Sequence, residues 1–442
     1  MLRQLLMLSF VGLSIGACAA GKAGPSGGGG GDDTSTTTST TTGTGASGGG
    51  GTGGTGGTSS NAGGGGTGGS GGSTTTTADG GTGGTGGSTG GAGGGGAGGT
   101  GGTGGAPQPT ETAIVLAGAA ASALTADYHP GEAWSTGMLA QGTSHAPAAA
   151  LLGASDGVGL IRASADGSLL FTKYASGSFS APLAIGNLAK SMDAPSMVAW
   201  NGVAAVAYHK ADFKHYFALY QGPMAGWSPV AEPILANNIH SFGPSAPRIA
   251  IVQGDVVIAY AGDNGNLYDQ RRVNGAWESA NGHGVDGTIT LSPSIVGIDA
   301  GPHEAMIAYV RSSDTQVMYT VRTNGAWSAP APVPDSFTND PVALAATPAG
   351  GVALAFRGTN SMLYTCLYTP GNNPPWSLPA SFGATVPVPP ALAPGIGGAE
   401  AEMVLVSAGQ AQHSRLIGGA WSAATPIGAG ADVGAAIASF AP

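Results

Sequence analysis

A spacing constrains this chain more than any single motif does. Trp134, Trp227, Trp277, Trp327, Trp376 and Trp421 recur in similar settings, such as Gly325-Ala326-Trp327-Ser328 and Gly419-Ala420-Trp421-Ser422, and Phe179 fills the one missing place. The successive steps are 45, 48, 50, 50, 49 and 45 residues. A second marker runs in phase: Pro147, Pro195, Pro247, Pro293, Pro341 and Pro390 lie 46 to 52 residues apart. Each opens a short apolar run such as Ser294-Ile295-Val296. Proline at the first residue of a strand removes no ladder hydrogen bond. A second apolar run follows and often ends in an aromatic, as in Val206-Ala207-Tyr208, Ile258-Ala259-Tyr260, Ile307-Ala308-Tyr309 and Leu354-Ala355-Phe356. Then come a polar turn, a third run, a Gly/Asn turn and the Trp segment. Each unit therefore reads as four short strands joined by hairpins.

Four strands repeated at this period predict an all-β chain folded as a β-propeller, whose blades pack radially and leave only short edges. Counting the Trp places gives seven blades, with a six-bladed ring as the alternative. Six units run from Pro147 to about Gly428. The seventh is split: Val433–Phe440 pairs with Ala113–Leu116, Leu124–Tyr128 and the Trp134 segment, closing the ring through its N- and C-terminal strands. The propeller spans 110–442.

The preceding part differs in kind. Between Gly21 and Gly105 there are 43 glycines in 85 residues, no aromatic residue and four charges. Such a stretch does not bury enough apolar surface to offset its ordering entropy. Residues 18–109 are expected to be a disordered Gly/Thr/Ser-rich tether, with a reach of roughly 50 Å for a flexible coil of that length. Ahead of it, Arg3 precedes an apolar stretch from Leu5 to Ala17, too short to span a bilayer stably and shaped like a secretory signal over 1–17. Ile15-Gly16-Ala17-Cys18 resembles the lipobox of bacterial lipoproteins. The resemblance implies cleavage before Cys18, a lipid on its sulfur and attachment to a membrane. Ala19 in place of an aspartate points to the outer membrane. Cys366, the other cysteine, has no partner for a disulfide and reads as a small buried hydrophobe.

Gly153-Ala154-Ser155-Asp156-Gly157 matches a nucleophile-elbow string but lies between two strands, and so reads as a hairpin turn. The net charge of −10 leaves no basic patch to neutralise phosphates, which excludes nucleic acid as a partner. His209 and His215 stand six apart across a turn, the other histidines do not cluster, and no metal-ligating motif is present. No metal, cofactor or catalytic set is expected.

Leu160-Ile161-Arg162-Ala163-Ser164-Ala165-Asp166-Gly167-Ser168-Leu169 and Leu354-Ala355-Phe356-Arg357-Gly358-Thr359-Asn360-Ser361-Met362-Leu363, with Trp376-Ser377 after the latter, resemble the repeat of bacterial propeller lectins. Fungal fucose-binding and tectonin-like propellers belong to the same wider group. The resemblance implies shallow sugar sites between neighbouring blades. It places arginines at Arg162, Arg357 and, one residue on, Arg311. His209-Lys210 stand at the matching place of the second unit. Arginine offers a rigid fork of donors to vicinal hydroxyls, and Asp263 adds oxygen ligands in a turn. Arg162, His209, Lys210, Asp263, Arg311 and Arg357 are therefore the candidate ligand-binding residues. The glutamate that partners the arginine in fungal fucose binders is missing, since Tyr174 and Thr369 hold those places.

The function expected is a lipid-anchored, surface-displayed, multivalent glycan-binding propeller without catalysis. A protein-interaction scaffold is the alternative, and a sialidase-like glycosidase a further one. A glycosidase needs carboxylates and arginines converging on one pocket, and no Ser-x-Asp-x-Gly-x-Thr-Trp box is present.

Overall fold

The structure, a computed structural model, describes residues 111–440 except 153–156, 176, 186–189, 223–225, 229–230, 235–242 and 284–287. The leader, Cys18, the tether and the Gly153–Asp156 turn lie outside the described residues.

Among the described residues every regular element is a strand, and the strands form seven separate antiparallel sheets. Blade one begins at Ala148–Leu151, blade two at Ser196–Trp200 and blade three at Arg248–Val252. Blade four begins at Ser294–Gly297, blade five at Ala343–Ala346 and blade six at Ala391–Pro394. Blade seven is the split one. Gly434–Phe440 pairs with Thr112–Gly118, from Thr112 opposite Phe440 to Gly118 opposite Gly434, and Ala123–Tyr128 and Ser135–Leu139 complete it. The seven-bladed reading holds and the six-bladed alternative falls. The first strands of all seven blades line a tunnel of about 210 Å³ in which, among the described residues, Arg248 is the single charged one.

Local chemistry sets the strand ends. Asn274-Gly275 and Asn324-Gly325 both have positive φ at each residue (51° and 82°, 50° and 79°). Positive φ at both centres is the two-residue hairpin turn that matches strand twist, and Asn and Gly tolerate it best. These turns lead directly into Ala276–Trp277 and Ala326–Trp327.

The Trp series is the wedge between blades. Trp227 packs edge-on against Phe171 of the preceding blade, with centroids 5.1 Å apart. Trp277 does the same to Phe217 (5.3 Å), Trp376 to Tyr319 (5.4 Å), and Trp134 to His413 (5.0 Å). Edge-to-face pairs of this kind add about 0.5–1.5 kcal/mol beyond area burial. Cys366 is buried beside Ser336, and burial pushes its thiol pKa up to about 11, so it behaves as the inert hydrophobe expected.

Candidate functional site

The hairpin joining the second and third strands carries the candidate residues in blades one to five. Its closing hydrogen bond aligns the blades without reference to sequence. Ser164 N donates to Ser168 O, Lys210 N to Lys214 O, Gly262 N to Asn266 O, and Gly358 N to Met362 O. In blade four the turn is one residue longer, Arg311 N to Gln316 O. The residues just before these donors are Ala163, His209, Ala261, Val310 and Arg357. One further back are Arg162, Tyr208, Tyr260, Tyr309 and Phe356, all among the largest fully buried side chains.

This corrects the sequence alignment of the arginines. Arg162 does not match Arg357; it occupies the place of the buried aromatics. A one-residue shift along a strand moves a side chain to the opposite face. Arg162 therefore sits with Val158 and Leu160 on the face turned to blade seven, where it is fully buried. Its Nη1 donates to Thr172 Oγ1 at 3.3 Å, while Nε and Nη2 have no partner among the described residues. Burial lowers its pKa.

The other candidates are engaged within the protein. Arg357 donates from Nη1 to Asp340 (2.7 Å), from Nε to the Val386 carbonyl (2.9 Å) and from Nη2 to Ser361 Oγ (2.8 Å). His209 bonds Asp193 at 2.7 Å. Lys210 lies 3.5 Å from the centroid of Tyr216, and desolvation lowers its pKa. Arg311 grips Asp314 with two nitrogens, at 2.9 and 2.6 Å, and this pairing lowers the Asp314 pKa. The structure does not gather these cations into one site.

Asp263 is different, because it lines a cleft. The cleft holds about 540 Å³ between Phe213 of blade two, the Gly262–Gly265 hairpin of blade three, and Thr288 and Thr290 beyond it. Phe213 is 55% exposed and has a φ of 62°. A bulky residue in the left-handed region carries about 1–3 kcal/mol of strain, which the surroundings must offset. A second cleft of about 400 Å³ stands at the same hairpin of blade five, lined by Asp335, Phe337, Thr359, Asn360 and Leu378. Phe337 is 42% exposed.

The two hairpins are built alike. Asn264 Nδ2 donates to Tyr268 Oη (2.8 Å) and its Oδ1 accepts from Asn266 N (3.0 Å). Asn360 repeats this with Tyr364 Oη (3.0 Å) and Met362 N (3.1 Å). Each tyrosine stacks on the buried aromatic, Tyr268 on Tyr260 and Tyr364 on Phe356, with ring planes 19° and 20° apart. In blades one, two and four an aspartate holds the equivalent turn place, and each has a cation at hand: Lys190 at Asp166, Lys210 near Asp212, Arg311 at Asp314. The two clefts thus fall where an uncharged asparagine makes the turn. Each combines an exposed aromatic wall with hydroxyl, amide and carboxylate groups. Sequence reasoning missed Phe213, Phe337, Asn264 and Asn360 as a set; the signal available was asparagine followed four residues later by tyrosine, present in these two hairpins alone among blades one to five.

No family model and no curated protein matches the sequence. Solved structures do. The chain is similar to the BP39L lectin from Burkholderia pseudomallei, at 16% identity and a TM-score of 0.59, covering 72% of this chain and 96% of that one. It is also similar to AofleA from Arthrobotrys oligospora, at 13% identity and a TM-score of 0.48, covering 68% and 90%. At 16% identity the likeness to BP39L is one of fold, a β-propeller.

Proposed function

We propose that the propeller is a non-catalytic, multivalent carbohydrate-binding module, exported and held by a lipid on Cys18 at the outer membrane. The repeated clefts of blades three and five carry this reading. A sugar offers an apolar C–H face and a rim of hydroxyls. An exposed phenylalanine beside Asn, Asp and Thr groups is complementary to both. BP39L is itself described as a lectin, which agrees with this use of the fold. Among the described residues neither cleft has a lysine or arginine in its lining, so neutral sugars fit better than acidic ones. Two weak sites on one body gain avidity when the target spacing suits them.

The glycosidase alternative finds no support in the arginines. Their acidic partners are scattered: Arg271 with Asp255, Arg272 with Glu232, Arg322 with Glu304, Arg357 with Asp340, and Arg415 with Glu402. The scaffold alternative is favoured by one observation, an apolar groove of about 710 Å³ at the outer edges of blades five and six, lined by Leu378, Phe382 and Trp421.

The test is a glycan array probed with the full chain in detergent. Binding to neutral glycans that drops at least tenfold in Phe213→Ala plus Phe337→Ala is expected. Silence from the folded protein would turn the reading to the scaffold. Labelling with a fatty-acid analogue, lost in Cys18→Ser, tests the anchor.

A further inference from the structure

His209 ends the second strand of blade two and His215 opens its third, and the register sets them directly opposite each other. Both are buried, at 2% and 1% exposure, with ring centroids 5.5 Å apart. Their partners fix where the protons sit. The Asp193 carboxylate only accepts, so His209 Nδ1 is the donor in that 2.7 Å bond. The Ser245 carbonyl only accepts, so His215 Nε2 is the donor in its 3.0 Å bond. The remaining nitrogens, His209 Nε2 and His215 Nδ1, are then bare lone pairs. Both are buried, and neither has a partner among the described residues.

From this geometry we infer a metal site: His209 Nε2 and His215 Nδ1 together bind one divalent first-row transition ion of the zinc or copper kind. Neutral imidazole is a preferred ligand for these ions. The outer contacts are those that metal-bound histidines use, a carboxylate on one ring and a backbone carbonyl on the other, each locking a tautomer. Asp193, 38% exposed, supplies negative charge beside the site. The Tyr260 hydroxyl, buried and without a hydrogen-bond partner among the described residues, lies on the neighbouring blade, its ring 4.9 Å from that of His215. The 540 Å³ cleft lies close by: its lining includes Gly243, and a Cβ on Gly243 would stand 3.1 Å from His215 Cε1.

The probe is Cu²⁺, which binds imidazole sites most tightly in its series, added to the full chain purified free of metal. One equivalent is expected to bind, with electron paramagnetic resonance showing coupling to two nitrogens. His209→Phe and His215→Phe each weaken binding at least tenfold, and Asp193→Asn by about 10- to 100-fold. The inference is overturned if no ion binds at micromolar concentration, or if nitrogen-coupled copper persists in both phenylalanine variants. Where a variant fails to fold, ¹⁵N-histidine NMR of the unsubstituted protein decides. Zn²⁺ should move the His209 Nε2 and His215 Nδ1 signals together, and unmoved signals end the proposal.

Discussion

Blades one and five are made from the same repeat and invert its chemistry. Blade five puts an aromatic, Phe356, in the buried place and an arginine, Arg357, in the half-buried place after it. Blade one puts the arginine, Arg162, in the buried place and Ala163 after it. Blade five has Trp376 as its wedge, whereas blade one has Phe179, which packs on Tyr174 of its own blade. Arg357 has three acceptors, one on each nitrogen, while Arg162 has one. The same residue type therefore serves as a clamp in one blade and as an electrostatic burden in the other. Position relative to the pleat decides which.

The largest effect separating the two blades is expected at the wedge. Trp376 is 3% exposed and touches Tyr319 and Tyr368, so Trp376→Ala should lower unfolding free energy by about 3–5 kcal/mol. Phe179 is only half-buried and bridges no blade interface in its ring contact, so Phe179→Ala should lower it by less than half as much. Denaturant midpoints of the two variants give the comparison, and equal losses would show that blade one leans on Phe179 as a true wedge. Next comes Arg162. A buried guanidinium without matched acceptors is disfavoured, and apolar replacement of buried charge commonly stabilises by about 1–4 kcal/mol. Arg162→Phe, which copies blade five, should raise the midpoint. A fall would mean that water or an ion holds the guanidinium.

The sequence made the architecture legible because two markers, Trp and Pro, repeat in phase, and because each hairpin needs its own turn residues. The arginine register was harder. Aligning Arg162 on Arg357 by identity ignores the turn, where Asp166, Asp212, Asn264 and Asn360 each accept from the backbone N–H two residues on. Counting back three from that residue gives Ala163, His209, Ala261 and Arg357. The turn, not the arginine, was the reliable anchor. The pairing of His209 with His215 was hidden for a related reason: six residues apart says nothing until the turn length is known. The clefts were less legible still, since Phe213 and Phe337 come from the neighbouring blade in each case.

A smaller effect of opposite sign to that of Arg162 is expected at Arg357. Arg357→Met strands Asp340 and the Val386 carbonyl, both partly solvated, and should lower stability by about 1–2 kcal/mol. Adding Asp340→Asn should recover about 0.5 kcal/mol of that loss, the coupling expected of a pair in contact. Calorimetric or denaturant unfolding of the single and double variants measures it, and strict additivity would show the pair to be inert.

The smallest effect on stability should still come with a clear effect on binding. Asn360→Ala removes one bond to Tyr364 Oη and one from Met362 N, a loss of about 1 kcal/mol or less at an exposed turn. The same change frees Tyr364 and takes an amide from the blade-five cleft. Glycan affinity should therefore drop severalfold while the fold persists. Asp166→Ala, at the matching turn of blade one, lies in neither of the two clefts and should leave glycan binding unchanged. Titrating a monovalent neutral sugar against both variants separates the roles. If Asp166→Ala weakens binding as much as Asn360→Ala does, the sugar sites follow the repeat itself and not the asparagine hairpins, and blade one must be counted among them.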